Sequence, residues 1–153
     1  MTDRTVTHGM FTLERTYPAR LERVFAAFAT EEGKARWFVG TPGEWTLLER
    51  RFDFREGGEE RLTGRWANGT VTDFHARYLD IVPNARIVYV YEMRQNGTKI
   101  SASLASLEFK PAAGGTRLVV TEQGAFLDGY EDGGSRERGT AELLDRVGES
   151  LRH

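Results

Sequence analysis

The chain has 153 residues, 39% of them hydrophobic and 11% aromatic, enough for one sizeable core and too few for two comfortable domains. Its 21 Lys and Arg against 23 Asp and Glu give a formal net charge of −2 with no block of like charge, which argues against the basic stripe of a general nucleic-acid binder. The absence of cysteine excludes disulfides, thiol catalysis and cysteine-bound metal. With no signal-peptide core in Met1–Met10 and no run of membrane-spanning length, a cytoplasmic single-domain protein is expected.

Phe11, Leu13, Arg15 and Tyr17 alternate with polar residues and predict a first strand, which Pro18 ends by removing a ladder donor. Over Ala19–Thr30 the period changes: Leu21, Val24, Phe25 and Phe28 share one helical face. Thr30, followed by two glutamates, predicts the N-cap of a second short helix carrying Ala35, Trp37 and Phe38. Trp45–Leu48 reads as a short strand after a loop. From Phe52 to Gln123 short apolar-aromatic runs alternate with turn chemistry, so successive strands must pair antiparallel. Ala125–Gly134 reads as loop. Ser135–Leu151 reads as a long helix, capped by Ser135, with Thr140, Leu143, Leu144, Val147 and Leu151 on one stripe. The layout is α+β, with helices covering one face of a sheet.

The turns also predict register. A three-residue loop at Ala67-Asn68-Gly69 sets Leu62 opposite Phe74. The same choice at Gln95-Asn96-Gly97 sets Tyr91 opposite Ser101 and Tyr89 opposite Ser103. Across Pro83-Asn84, Tyr78 faces Tyr89, and around Gly114-Gly115, Leu107 faces Val120 and Ala105 faces Glu122. A three-residue loop at Glu56-Gly57-Gly58 pairs Phe52 with Leu62 and leaves Asp53 and Arg55 outside; a two-residue Gly57-Gly58 loop would turn that charged pair to the cavity mouth. One face then carries Leu62, Trp66, Phe74, Tyr78, Tyr89, Tyr91, Ser101, Ser103, Leu107, Phe109, Leu118, Val120 and Glu122. Serines and a carboxylate among aromatics suit a partly solvated cavity; in an ordinary core they would have to satisfy one another.

An ordered set of short motifs carries a family resemblance: Arg15-Thr16-Tyr17-Pro18-Ala19, Val24-Phe25, Trp37, Phe52-Asp53-Phe54-Arg55-Glu56-Gly57-Gly58, Tyr78-Leu79-Asp80-Ile81-Val82-Pro83, Arg86-Ile87-Val88, Gly115-Thr116-Arg117-Leu118-Val119-Val120 and Leu143-Leu144-Asp145-Arg146. Together they resemble the START-like (SRPBCC, helix-grip) superfamily, and within it the branch of homologues of the activator of heat-shock protein 90 ATPase. The resemblance implies one START-like domain over residues 10–151, residues 1–9 being an N-terminal tail. In that fold a curved antiparallel sheet wraps a long C-terminal helix, with two short helices after the first strand. It further implies an apolar cavity between sheet and helix, closed on the helix side by Trp37, Phe126, Tyr130, Thr140, Leu143 and Leu144. Where the branch has Gly-Trp opening its last helical stretch, this chain has Gly139-Thr140, which enlarges any cavity there.

The expected function is binding of a small hydrophobic molecule, aromatic or lipid-like, by Trp37, Phe54, Leu62, Trp66, Phe74, Tyr78, Tyr89, Tyr91, Ser101, Ser103, Leu107, Leu118, Val120, Glu122, Phe126, Tyr130, Thr140, Leu143 and Leu144. Two alternatives stand: a cyclase- or aromatase-like enzyme using Glu122 and the pocket tyrosines, and a co-chaperone-like interaction module. Lack of a long charged extension speaks against a chaperone partner. Glu122 is the candidate acid or base, its pKa raised by desolvation unless Arg15 pairs with it. The three histidines lack ligand spacing, so no metal and no cofactor are expected. Val88, Val90, Ile100, Leu104 and Val119 fall on the outer face, more apolar than solvation requires, and suggest a homodimer contact or cover by another segment.

Overall fold

A computed structural model describes residues 4–130 and 134–152. Seven strands, β1 (Val6–Tyr17), β2 (Trp45–Phe52), β3 (Glu59–Trp66), β4 (Val71–Val82), β5 (Arg86–Gln95), β6 (Thr98–Ala112) and β7 (Gly115–Leu127), form one curved antiparallel sheet in the order β1-β7-β6-β5-β4-β3-β2. Helices α1 (Leu21–Ala29) and α2 (Glu31–Ala35) follow β1, and α3 (Ser135–Ser150) ends the chain against the same face, giving the α+β helix-grip architecture.

α1 buries Val24, Phe25, Ala27 and Phe28. Phe25 and Phe28 meet the Phe109 ring edge-on, at centroid distances of 5.1 and 5.6 Å, which fixes α1 over β6. Thr30 Oγ1 accepts from the Gly33 N–H at 3.0 Å and caps α2 as expected. The apolar stripe of α3 divides along its length. Leu144, Val147 and Leu151 are buried, and Tyr17 donates its hydroxyl to the Leu144 carbonyl at 2.7 Å. Arg15 holds Asp145 at 2.9 Å, so the C-terminal half of the helix is pinned to β1. The N-terminal half, from Arg136 to Leu143, stands off the sheet.

Most of the expected register holds. Leu62 faces Phe74 across the Ala67-Asn68-Gly69 loop, Tyr78 faces Tyr89, and Leu107 and Ala105 face Val120 and Glu122. Two pairings differ. The β5–β6 loop is the two-residue Asn96-Gly97, both at positive φ, with Gln95 opposite Thr98. An extra residue, Ile100, then bulges between Lys99 and Ser101, so Tyr91 pairs with Ser103 and Tyr89 with Ala105. The bulge restores the parity that the short loop would have inverted, and the inner face keeps its residues. Phe52 pairs with Glu60 instead of Leu62; both phenylalanines still point inward, and Asp53 and Arg55 pair with each other in the exposed turn.

Element bounds shift as well. β1 begins at Val6, because its ladder with β7 runs to Leu127; residues 6–9 therefore belong to the sheet and not to a tail, and the expected loop after Ala125 shortens. Residues 1–3, 131–133 and 153 of the expected tail, loop and histidine set lie outside the described residues. β2 extends to Phe52. Gly134, at φ 85°, occupies the N-cap of α3, and Ser135 is its first helical residue. On the outer face Val90 and Leu104 are exposed as expected, but Val119 is buried, and Ile100 turns to the inner side at its bulge.

Candidate ligand site

The stand-off of α3 leaves a cavity of about 470 Å³ between its N-terminal half and the sheet. Its floor is the inner face of β3–β7: Leu62, Phe74, Tyr89, Tyr91, Met93, Leu107 and Val120. The roof is Gly139, Thr140, Leu143 and Leu144, where a Cβ on Gly139 would meet nothing within 4 Å. The segment after α2 closes one side with Trp37, Phe38 and Trp45. It is tied in place by Arg146 donating to the Val39 carbonyl at 2.5 Å and Arg50 donating to the Phe38 carbonyl at 3.0 Å. All three tryptophans of the chain, Trp37, Trp45 and Trp66, line this space.

At one end the polar groups converge. Glu122, 6% exposed, accepts the Tyr91 hydroxyl on Oε1 at 2.5 Å. Arg136 donates to Tyr91 Oη at 3.1 Å, Ser101 Oγ at 3.0 Å and Ser103 Oγ at 3.5 Å, and its guanidinium lies over the Tyr91 and Phe126 rings. Desolvation pushes the Glu122 carboxyl above the usual carboxylate range, against the lowering effects of the Tyr91 bond and the Arg136 charge. Burial likewise raises the Tyr91 and Tyr89 phenols, which stay protonated hydrogen-bond donors. A carboxyl drawn toward its neutral form can exchange a proton with a molecule lying against Tyr91.

On the Trp37 side of the cavity lies a buried ion pair. Lys34 Nζ meets Glu60 Oε1 at 2.6 Å, and the Tyr78 hydroxyl donates to the same oxygen at 2.5 Å. Five rings, those of Trp37, Phe38, Phe52, Tyr78 and Tyr89, lie within 6.0 Å of the ammonium. Only Lys34 of the pair reaches the cavity wall.

Of the residues expected to bind ligand, Trp37, Leu62, Trp66, Phe74, Tyr89, Tyr91, Leu107, Val120, Glu122, Tyr130, Thr140, Leu143 and Leu144 line the cavity. Phe54, Tyr78 and Leu118 do not: Phe54 packs edge-on to Phe25 and Tyr78, and Tyr78 and Leu118 are sealed in the core beneath. Ser101, Ser103 and Phe126 sit behind the Arg136 guanidinium and shape the site through it. Arg15 is not the partner of Glu122, since its side chain reaches α3 at Asp145; the neighbouring cation is Arg136. Arg136, Lys34 and Glu60 were not among the expected residues. Arg136 extends the α3 stripe one turn upstream of Thr140, and Glu60 precedes Leu62 by two on the same face of β3, so periodicity carried a signal for both.

A curved sheet gripping a C-terminal helix over a cavity defines a START-like (SRPBCC) protein. The model of the family described as activator of Hsp90 ATPase homolog 1-like protein matches residues 18–152, and the chain belongs to that family. A putative uncharacterized protein from Rhizobium leguminosarum is 44% identical, with 99% of each chain covered and a TM-score of 0.94. Protein Mll3558 from Rhizobium loti is 42% identical over 95% of this chain and 99% of its own, with a TM-score of 0.88. At 17% identity, an AHSA1-like protein from Aeromonas hydrophila shares the fold over 94% of this chain and 92% of its own, with a TM-score of 0.71. A search of curated proteins found no match.

Proposed function

We propose that the chain binds a small hydrophobic molecule, aromatic or lipid-like, in the cavity between the sheet and α3. The observation that carries this reading is the cavity itself. Its volume of about 470 Å³ falls within the roughly 300–1,000 Å³ of small-molecule sites, and its walls are largely apolar and rich in aromatic rings, with Glu122, Tyr91 and Arg136 converging at one end. The Gly139-Thr140 pair supports it, because a large side chain there would occupy the space.

The test is a fluorescence titration with the neutral probe N-phenyl-1-naphthylamine. The wild-type chain is expected to bind it saturably and to melt at a higher temperature in its presence. Thr140→Trp, which refills the cavity from the helix side, should abolish both effects while the variant remains folded by circular dichroism. Intact binding in Thr140→Trp would show that the probe sits elsewhere.

A further inference from the structure

Building on the cavity reading above, we propose that the bound molecule is an amphipathic monocarboxylate and that Arg136 receives its carboxylate. Arg136 brings a guanidinium cation to the polar end of the cavity. Yet its partners among the described residues are hydroxyls, Tyr91, Ser101 and Ser103, and the faces of two rings. Such neutral groups solvate a cation without cancelling its charge, and a cation drawn partly out of water is costly until an anion meets it. Its Nε–H finds no acceptor among the described residues.

The other cations around the cavity are already engaged. Lys34 is neutralised by Glu60 at 2.6 Å, and Arg146 lies at the rim, away from Tyr91, where it holds the Val39 carbonyl. Glu122 does not serve as the counter-ion. Its Oε1 is committed to Tyr91, no oxygen of it comes within ion-pair distance of Arg136, and burial favours its neutral form. At the polar end of the cavity Arg136 is thus a cation with no ion-pair partner among the described residues. A planar carboxylate matches the guanidinium fork, which a neutral carbonyl does not. The apolar body of such a molecule would lie along Tyr91, Tyr89 and Phe74 toward Trp37, the direction in which the cavity extends.

The experiment compares 2-naphthoate with its methyl ester by displacement of N-phenyl-1-naphthylamine. The wild-type chain should prefer the acid by about tenfold or more, the range of a charge-assisted bidentate contact. Arg136→Met should erase that preference, read as the ratio of acid to ester affinity within the same variant so that any general change in binding cancels. Arg136→Lys, which keeps the charge but loses the fork, should fall between the two and guards against a folding defect in the Met variant. Equal affinity for acid and ester in the wild type, or a preference that survives in Arg136→Met, would overturn the proposal and leave the cavity function standing. Failure of the wild type to bind even the neutral probe would overturn both.

Discussion

Lys34 and Glu60 are 5% and 2% exposed, and each is tolerable in the core only because of the other. Removing one partner strands the other's charge in the core. Lys34→Ala should therefore destabilise the fold by about 3–5 kcal/mol in urea unfolding, whereas Lys34→Met combined with Glu60→Met should cost clearly less than that single change. A double variant as damaged as Lys34→Ala would show that the pair acts through something other than mutual neutralisation. Alternation along β3 already turned Glu60 inward, but its partner sits on α2, and no strand pattern reports which helix side chain reaches across. Glu122 was legible from register alone because the β6–β7 pairing follows from the Gly114-Gly115 turn. The identity of its neighbouring cation was not: Arg15 and Arg136 both belong to elements packed near β7, and only the path of α3 decides between them.

At the scale of elements, turn residues carried most of the topology. Asn-Gly sequences recur in two hairpins yet serve differently: Ala67-Asn68-Gly69 is a three-residue loop, whereas Asn96-Gly97 closes in two with a bulge at Ile100. The apolar pattern fixes only parity, and both solutions satisfy it, so the faces were readable and the exact pairing was not. The cavity wall depends on a second local device. The Trp45 indole lies against Gly64 of β3 and against Gly40, and a Cβ at either glycine would collide with the ring. Gly64→Ala should thus expel Trp45 from its seat, costing about 1–3 kcal/mol by overpacking and reddening the tryptophan emission. Unchanged stability and emission would mean that the ring is not held there.

For the whole molecule, the decisive feature is that α3 is only half packed. Tyr17, Arg15 and the Leu144–Val147–Leu151 stripe anchor one end, while Gly139 and Thr140 leave the other end raised over an aromatic floor. The helix-grip fold was legible in the order of motifs, and the volume under the helix in two residue types. The sheet has a second, shallower hollow of about 960 Å³ on its outer face, over Met10, His75, Val90 and Leu104, and an apolar molecule must choose between them. The most direct measurement is a two-dimensional amide and indole NMR titration with methyl 2-naphthoate. Binding in the inner cavity predicts that the indole signals of Trp37, Trp45 and Trp66 shift together with the amides of Tyr89, Tyr91 and Thr140, while Met10, Val90 and Leu104 stay in place. Shifts confined to Met10, Val90 and Leu104, with all three indoles unmoved, would contradict it.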